Sequence, residues 1–427
     1  MDASSVRVAS LNVDGRGVHP TSALKHLPET FNLMPRPLRV LFVIGTLGGG
    51  GAERQVVEIL KQLDRSRFEP VLSLGSCSGE LLSEVPADVP IHSFWEDFLK
   101  TWAFPFHRLT RTVPIARWRH LARLLESERI DIVYDRTFLA TLDAAAACWF
   151  RPTPRIACCV ADPAWELNAY ARRMPLFARR FARWAYSSAS VVLANSDGLR
   201  ERLVRFFDLP DEHVRTLRNL VDFDRIERLA SESTPSIPRD PFLIVSGGRL
   251  HVQKGQQYLL EAIRTLVQER GRSLHFVSLG QGEQERELRE FIATHQLEAH
   301  VTLPGFVANP LPWYRHARLF VLPSLNEGFP NALLEAVACG TPVLASDCPC
   351  GPRETLDGGR CGHLVPPADA TALANAIADC MDHEADWQSL TNAARDRVRQ
   401  LCDPREGLNQ LEALLEQTAV RDQHPPL

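Results

Sequence analysis

A chain of 427 residues exceeds what one hydrophobic core usually organises, so two domains are expected. Hydrophobic residues make up 45% and charged ones 23%, and a formal net charge of -4 offers no polyanion-binding surface, which excludes nucleic acid as an expected partner. Ten cysteines lack framework spacing and several sit in apolar runs, which predicts reduced thiols in the cytosol rather than a disulfide scaffold. Residues 1–37 mix Ser, His, Pro and charges without the charged start and apolar block of a secretion signal, so they read as a flexible extension. The nearest approach to a membrane span, Ala144 to Phe150, is far too short. These features together predict a cytoplasmic protein.

Leu38 to Ile44 (LRVLFVI) is a continuous β-rich apolar run, typical of a parallel strand buried on both faces. The glycines Gly48 to Gly51 follow, and then Ala52 to Leu63 carries apolar residues at helical spacing, which opens a βαβ unit. Strands are predicted at Glu69–Leu74, Ile130–Tyr134, Arg155–Val160 and Ser190–Ala194, with a helix at Trp118–Glu128. Residues 38–230 form this first α/β domain, and SESTPSIPRDP, residues 231–241, is a linker by composition. A second strand-first series fills residues 242–403, with strands at Phe242–Val245, Leu274–Leu279, Val301–Leu303, Arg318–Leu322 and Pro342–Ala345. Helices are expected at Gln256–Glu269, Glu283–His295 and Ala332–Ala338. Residues 404–427 hold a last amphipathic helix, Leu408 to Leu415, and a tail with no strand after it, which leaves the helix free to pack back on the first domain. The predicted fold is therefore α/β, two doubly wound Rossmann-like domains facing across a cleft, with ligands at the carboxyl ends of the strands.

The segment Arg318 to Ala345 concentrates the chemistry. A strand ends in the loop Ser324 to Pro330, a helix begins near Asn331, and Gly340 closes it as a left-handed cap. The loop meets a helix amino end, where backbone N–H groups and the dipole favour an anion. Glu327 and Glu335 are carboxylates at that anion site, which suits acceptors of hydrogen bonds from sugar and ribose hydroxyls. Glu335 lies among Leu333, Leu334, Ala336 and Val337, an unusually apolar setting for an unpaired carboxylate. In Phe242 to Arg249 (FLIVSGGR) a strand runs into glycines, with Arg249 and then Lys254 just beyond. The chain has only four lysines, Lys25, Lys61, Lys100 and Lys254, so a lysine here stands out.

The stretch NEGFPNALLEAVACGTPVLASDCPCGPRETL resembles the signature of the retaining GT-B glycosyltransferases of the large family four, in which two glutamates eight positions apart bracket Gly-Phe-Pro-Asn. The resemblance runs from Leu38 to the C-terminus and is more specific in the second half. It implies an acceptor domain followed by a nucleotide-sugar donor domain. It also implies that Glu327 contacts donor-sugar hydroxyls, that Glu335 contacts the ribose, and that Gly328, Phe329, Pro330 and Asn331 wrap the sugar and phosphate. Arg249 and Lys254 would hold the diphosphate and neutralise it as it departs without a metal or other cofactor. Gly280 and Gly282 resemble the turn that admits the nucleotide, Pro304-Gly305-Phe306 with Val307 the base-side segment, and Gly49, Gly50 and Glu53 the loop against the phosphates and acceptor. Any one of these short motifs is more often plain turn chemistry than a site; their order along the chain gives them weight. Many relatives carry a histidine where this chain reads CCVADP, with Ala161 and Asp162; Asp162 either replaces it on the acceptor side or the leaving phosphate serves alone. GPRETL, Gly351 to Leu356, resembles transferases that build bacterial surface polysaccharides, which points to a UDP-hexose or UDP-N-acetylhexosamine donor and a glycan or lipid-linked acceptor.

Competing motifs fare worse. The first glycine run has Glu53 where a dinucleotide fingerprint needs its third glycine, and it lacks the Lys-Ser/Thr of a triphosphate loop. Asp222-Phe223-Asp224 mimics a metal-binding Asp-x-Asp but sits in the Asn219 to Phe223 passage between the domains. Cys348, Cys350, Cys361 and His363 lack zinc-knuckle spacing. Tyr170 to Tyr186, with five arginines among Met, Leu, Phe and Trp, reads equally as a helix lying on an anionic membrane or as an inward-packed helix with a solvated arginine face. The rival functions are a nucleotide-sugar epimerase or phosphorylase on the same fold, and a non-catalytic nucleotide-sugar-binding scaffold.

Overall fold

Seven strands of the first half line up as one parallel sheet: β1 (Leu38–Ile44), β2 (Phe68–Leu74), β3 (Ile91–Ser93), β4 (Ile132–Arg136), β5 (Arg155–Cys159), β6 (Val191–Ala194) and β7 (Val214–Thr216). Their spatial order is β3-β2-β1-β4-β5-β6-β7. The computed structural model describes residues 36–100, 112–171, 178–232 and 240–421, so nearly all of the expected 1–37 extension and most of the 231–241 linker lie outside the described residues. The second half repeats the design with β8 (Phe242–Gly247), β9 (Leu274–Leu279), β10 (Val301–Gly305), β11 (Leu319–Leu322), β12 (Val343–Ser346) and β13 (His363–Val365), ordered β10-β9-β8-β11-β12-β13. Every strand pair is parallel, and helices cover the faces, which explains why the strands read as unbroken apolar runs.

Strand order reverses between β1 and β4, and again between β8 and β11. The loops leaving those strands diverge to opposite faces and open a crevice at each reversal. The strands β3, β7 and β13, three residues each, carry too few positions to show a period and were not anticipated. The run Ala144 to Phe150 is the end of a helix, Phe138–Phe150, whose alanines pack tightly against the first sheet. Among the described residues, no helix is long and apolar enough to cross a membrane.

The chain crosses between halves twice, and this corrects the expected boundary at residue 230. Helix Phe223–Ala230 buries Ile226 and Ala230 in the core of the second sheet, so the first domain ends before Val221. Asp222 caps that helix by accepting a bond from Arg225 N at 2.9 Å, which accounts for the Asp-x-Asp mimic as a helix start. The last helix, Pro404–Arg421, goes the other way. Arg67 lies 2.6 Å from Glu412 and 2.8 Å from Glu416, tying this helix to the first half.

The arginine-rich stretch is not described as one helix: it is split between Pro163–Ala171 and Ala178–Ser187, and residues 172–177 lie outside the described residues. In the second of these helices Ala178, Ala182, Ala185 and Tyr186 face the core. Arg183 reaches Asp208 at 2.8 Å and Arg179 donates to the Phe206 carbonyl at 2.7 Å, the arrangement of the inward-packed reading.

Candidate active site

The two sets of strand ends face one another across a cavity of about 750 Å³. Every residue anticipated at the site lines it, from both halves, except Asp162. From the first half come Gly49 and Gly50, on the loop between β1 and helix Gly51–Gln62, and Glu53, in the first turn of that helix. The turn after β8 contributes Arg249 and Lys254, the turns after β9 and β10 contribute Gly280, Gly282 and Val307, and the loop after β11 contributes Glu327 to Asn331. Glu335 follows one turn into helix Asn331–Ala338.

Both halves bring charge to the cavity: Glu53, Arg54, Arg136 and Glu166 from the first, Arg249, Lys254, Glu327 and Glu335 from the second. Lys254 Nζ stands 2.6 Å from Glu327 Oε1, and Ser324 Oγ donates to that same oxygen at 2.6 Å. Glu327 is only 5% exposed, so this pairing stabilises a charge that burial would otherwise penalise. Lys254 is brought there by a short 3-10 turn, Val252–Lys254, stitched to the β11 loop. Leu325 N donates to the Gln253 carbonyl at 2.8 Å, and the Gln253 side chain donates to Asn326 O at 2.9 Å. Arg249 is exposed on the cavity wall, and no described residue supplies it with a side-chain partner.

Glu335 lies deeper. No described residue bonds its carboxylate; burial holds it above the ordinary glutamate range, while Arg54 and Arg225 pull it back. Helix Asn331–Ala338 begins after Pro330 with no side-chain cap, so its first N–H groups are left for a ligand anion. Gly340 closes the helix in the left-handed region at φ 81°, as expected.

The cavity is held shut at one end by contacts between the halves. Asn219 Nδ2 donates to Phe329 O at 3.0 Å and to Asn331 Oδ1 at 2.8 Å, and Arg136 donates to Asn219 Oδ1 at 2.8 Å. Asn331 Nδ2 in turn donates to Gly51 O at 2.8 Å, and Ser196 Oγ to Gly328 O at 2.8 Å. The Asn331 side chain thus bridges the halves, leaving its backbone N–H at the helix start for a ligand. Gly328 is required by close approach: a Cβ there would sit 2.1 Å from Val160 O. Gly280 is required twice over, at φ +138° and with a Cβ 2.0 Å from Gly248 O.

Asp162 is a correction. It is 1% exposed, accepts bonds from Ala164 N at 2.9 Å and Trp165 N at 3.1 Å, and pairs with Arg202. It caps the next helix and does not reach the cavity. The residues there are its neighbours Trp165 and Glu166, which the reading of CCVADP stopped short of. Helical spacing from Asp162 was the available signal. Asn195, Asn219 and Arg136, at or just beyond strand ends, and Arg54 and Tyr314, on helices, also line the cavity unanticipated.

Cys348 and Cys361 point their thiols at backbone carbonyls, of Cys350 and Thr355, each at 3.8 Å, and the His363 ring stacks on Trp387 at 3.5 Å. Among the described residues, no group of three or more His, Cys, Asp and Glu is placed to hold a metal ion.

Residues 49–225 match the family model described as Glycosyltransferase Family 4, and residues 241–383 that of Glycosyl transferases group 1. Over half its length the chain is 30% identical to the N-acetylgalactosamine-N,N'-diacetylbacillosaminyl-diphospho-undecaprenol 4-alpha-N-acetylgalactosaminyltransferase of Campylobacter jejuni, matching 50% of this chain and 57% of that one. It is 35% identical to the amylovoran biosynthesis glycosyltransferase AmsK of Erwinia amylovora, over 42% of this chain and 46% of that one. The chain spans about half the length of the curated relatives it matches. Among solved structures, Anabaena Alr3699/HepE in complex with UDP-glucose superposes with a TM-score of 0.69 at 22% identity, covering 89% of this chain and 100% of that one. The sucrose-phosphate synthase of Thermosynechococcus elongatus gives 0.72 at 18% identity, covering 89% and 98%. At such identities these likenesses speak to the fold, which is the GT-B arrangement of two Rossmann-like domains across a cleft.

Proposed function

We propose, for a chain built of these two glycosyltransferase domains in the GT-B arrangement, the transfer of a sugar from a UDP-hexose or UDP-N-acetylhexosamine to a hydroxyl of a glycan or lipid-linked saccharide. The observation that carries the reading is the convergence in one interdomain cavity of Lys254, Arg249, an uncapped helix amino end and the two carboxylates Glu327 and Glu335. A diphosphate needs the cations and backbone N–H groups, and neutral hydroxyls need the carboxylates; a nucleotide-sugar has both. The Campylobacter relative's name gives a lipid diphosphate-linked acceptor, and the Anabaena structure contains UDP-glucose, which supports this choice of substrate classes.

In the proposed reaction Arg249, Lys254 and the helix N–H groups stabilise charge as it grows on the leaving diphosphate, in place of a metal. Glu327 keeps one oxygen on Lys254 and Ser324 and presents the other to a donor-sugar hydroxyl, fixing the sugar's orientation. Glu335 accepts from the ribose. The acceptor hydroxyl attacks from the leaving-group face and yields its proton to the departing phosphate, so the anomeric configuration is retained. The reaction is cytoplasmic, and the exposed Arg179, Arg180 and Arg183 suit contact with an anionic membrane that carries a lipid-linked acceptor. Sedimentation with anionic vesicles tests that contact, and protein left in the supernatant removes it.

Thermal-shift screening with UDP, UDP-glucose and UDP-N-acetylglucosamine tests the donor reading: stabilisation that grows with concentration is expected, and none of the three raising the melting temperature sinks it. Proton NMR of the glycoside product reads the anomer, and an inverted product rules out the front-face route.

A further inference from the structure

The first half offers the cavity one acid that no anticipated role uses. Glu166 lies one turn into helix Pro163–Ala171, which starts at the carboxyl end of β5, where the cleft opens. Asp162 holds the start of this helix, so Trp165 and Glu166 are presented to the cavity from a fixed turn. No described residue gives the Glu166 carboxylate a hydrogen bond or an ion pair. Burial pushes it above the ordinary glutamate range and Arg249, on the second half, pulls it down. Its other titratable neighbours, Cys159 on β5 and Tyr186 on helix Ala178–Ser187, are fully buried, and burial pushes both upward, with the Glu166 charge adding a little. A half-buried carboxylate without a partner is costly unless a ligand supplies the donor. Beside it stands an aromatic ring, and a ring with an adjacent carboxylate suits a saccharide: the ring takes the apolar face of a pyranose and the carboxylate takes its hydroxyls.

Resting on the transferase reading above, we propose that Glu166 accepts a hydrogen bond from the acceptor saccharide, with Trp165 as the wall against which that sugar lies. This subsite lies across the cleft from Arg249, which that reading assigns to the diphosphate, so the bound acceptor faces the leaving group.

The test uses the full chain as wild type, Glu166→Gln, Glu166→Asp and Glu166→Ala. Calorimetry reads UDP affinity, and UDP release from UDP-glucose is followed with and without a panel of methyl glycosides. Expected are UDP affinities within about twofold of one another and a glycoside KM raised about tenfold to a hundredfold in Glu166→Gln, the range for one hydrogen bond to a charged group, partly restored in Glu166→Asp. The wild-type kcat/KM for glycoside should fall as pH drops through a value above the ordinary glutamate range, and Glu166→Gln should lose that limb. A Glu166→Ala protein with wild-type KM and pH profile overturns the proposal. So does a wild type that binds UDP yet responds to no glycoside. A wild type that binds no UDP removes the donor reading instead, and the subsite with it.

Discussion

The two halves share a strand order but treat buried carboxylates in opposite ways. In the first half they are neutralised inside the fold: Asp135 takes Arg155 at 2.8 Å and the Thr141 hydroxyl, and Asp143 takes Arg117 at 2.7 Å and Trp118 Nε1 at 2.9 Å. In the second half Glu327 and Glu335 line the cavity: both partners of Glu327, Lys254 and the Ser324 hydroxyl, meet its Oε1, and the Glu335 carboxylate has no partner among the described residues. A buried charge that is fully bonded serves the fold, whereas one left short of partners serves a ligand that will supply them. In the first half Glu166 is of the second kind, and it too lines the cavity.

Lys254→Ala should break the second-half arrangement most severely. It removes a diphosphate cation and strands Glu327, so UDP release in single-turnover assays is expected to fall about 10²- to 10³-fold. An activity within twofold of wild type would separate Lys254 from the chemistry. Asp143 tests the opposite half, where the carboxylate should matter for folding alone. Burial pushes its carboxyl up to about 6, with Arg117 pulling down, from an ordinary value of 3.8. Because the folded value lies above the unfolded one, the neutral form favours folding. That contribution is full below about pH 4 and is lost as pH rises through about 6, roughly 3 kcal/mol in all. Urea titrations should show this decline in wild type and not in Asp143→Asn, and parallel pH profiles for the two would refute it.

At the seam between the halves, Gly328→Ala drives a methyl group against Val160 O and should destabilise the protein by about 1–3 kcal/mol, read as a lower urea midpoint. Asn219→Ala removes the bonds to Phe329, Asn331 and Arg136 and should cost a similar or smaller amount, about 1–2 kcal/mol. An unchanged midpoint in both would mean that the halves do not depend on these contacts. The smallest effect is expected at Arg183→Ala, whose pair with Asp208 is exposed on both sides and worth less than about 1 kcal/mol.

Much of this was legible beforehand, for identifiable reasons. β1, β2, β8 and β9 are central or near-central strands buried on both faces, so their apolar runs are long and unbroken. Glu335 among leucines, Lys254 in an arginine-rich chain, and Gly328 beside Glu327 are each odd locally, and local oddness survives in a linear reading. Asp162 misled because an acid after a strand suits both a ligand group and a helix cap; only its bonds to Ala164, Trp165 and Arg202 decide between them. Glu166 was missed because its neighbours in sequence are unremarkable and its significance comes from Arg249, which belongs to the other half.

The order of residues by itself determined the two α/β halves, the glycine turns and the acidic and cationic pairs, because periodicity and turn chemistry act over a few residues. The tertiary structure alone decided where the chain changes halves, which end of Asp162 and Glu166 faces the cleft, and that Asn219 joins β4's end to the Phe329–Asn331 loop. Those outcomes depend on contacts between segments far apart in the chain, and such contacts exist only once both sheets have formed and their open ends meet.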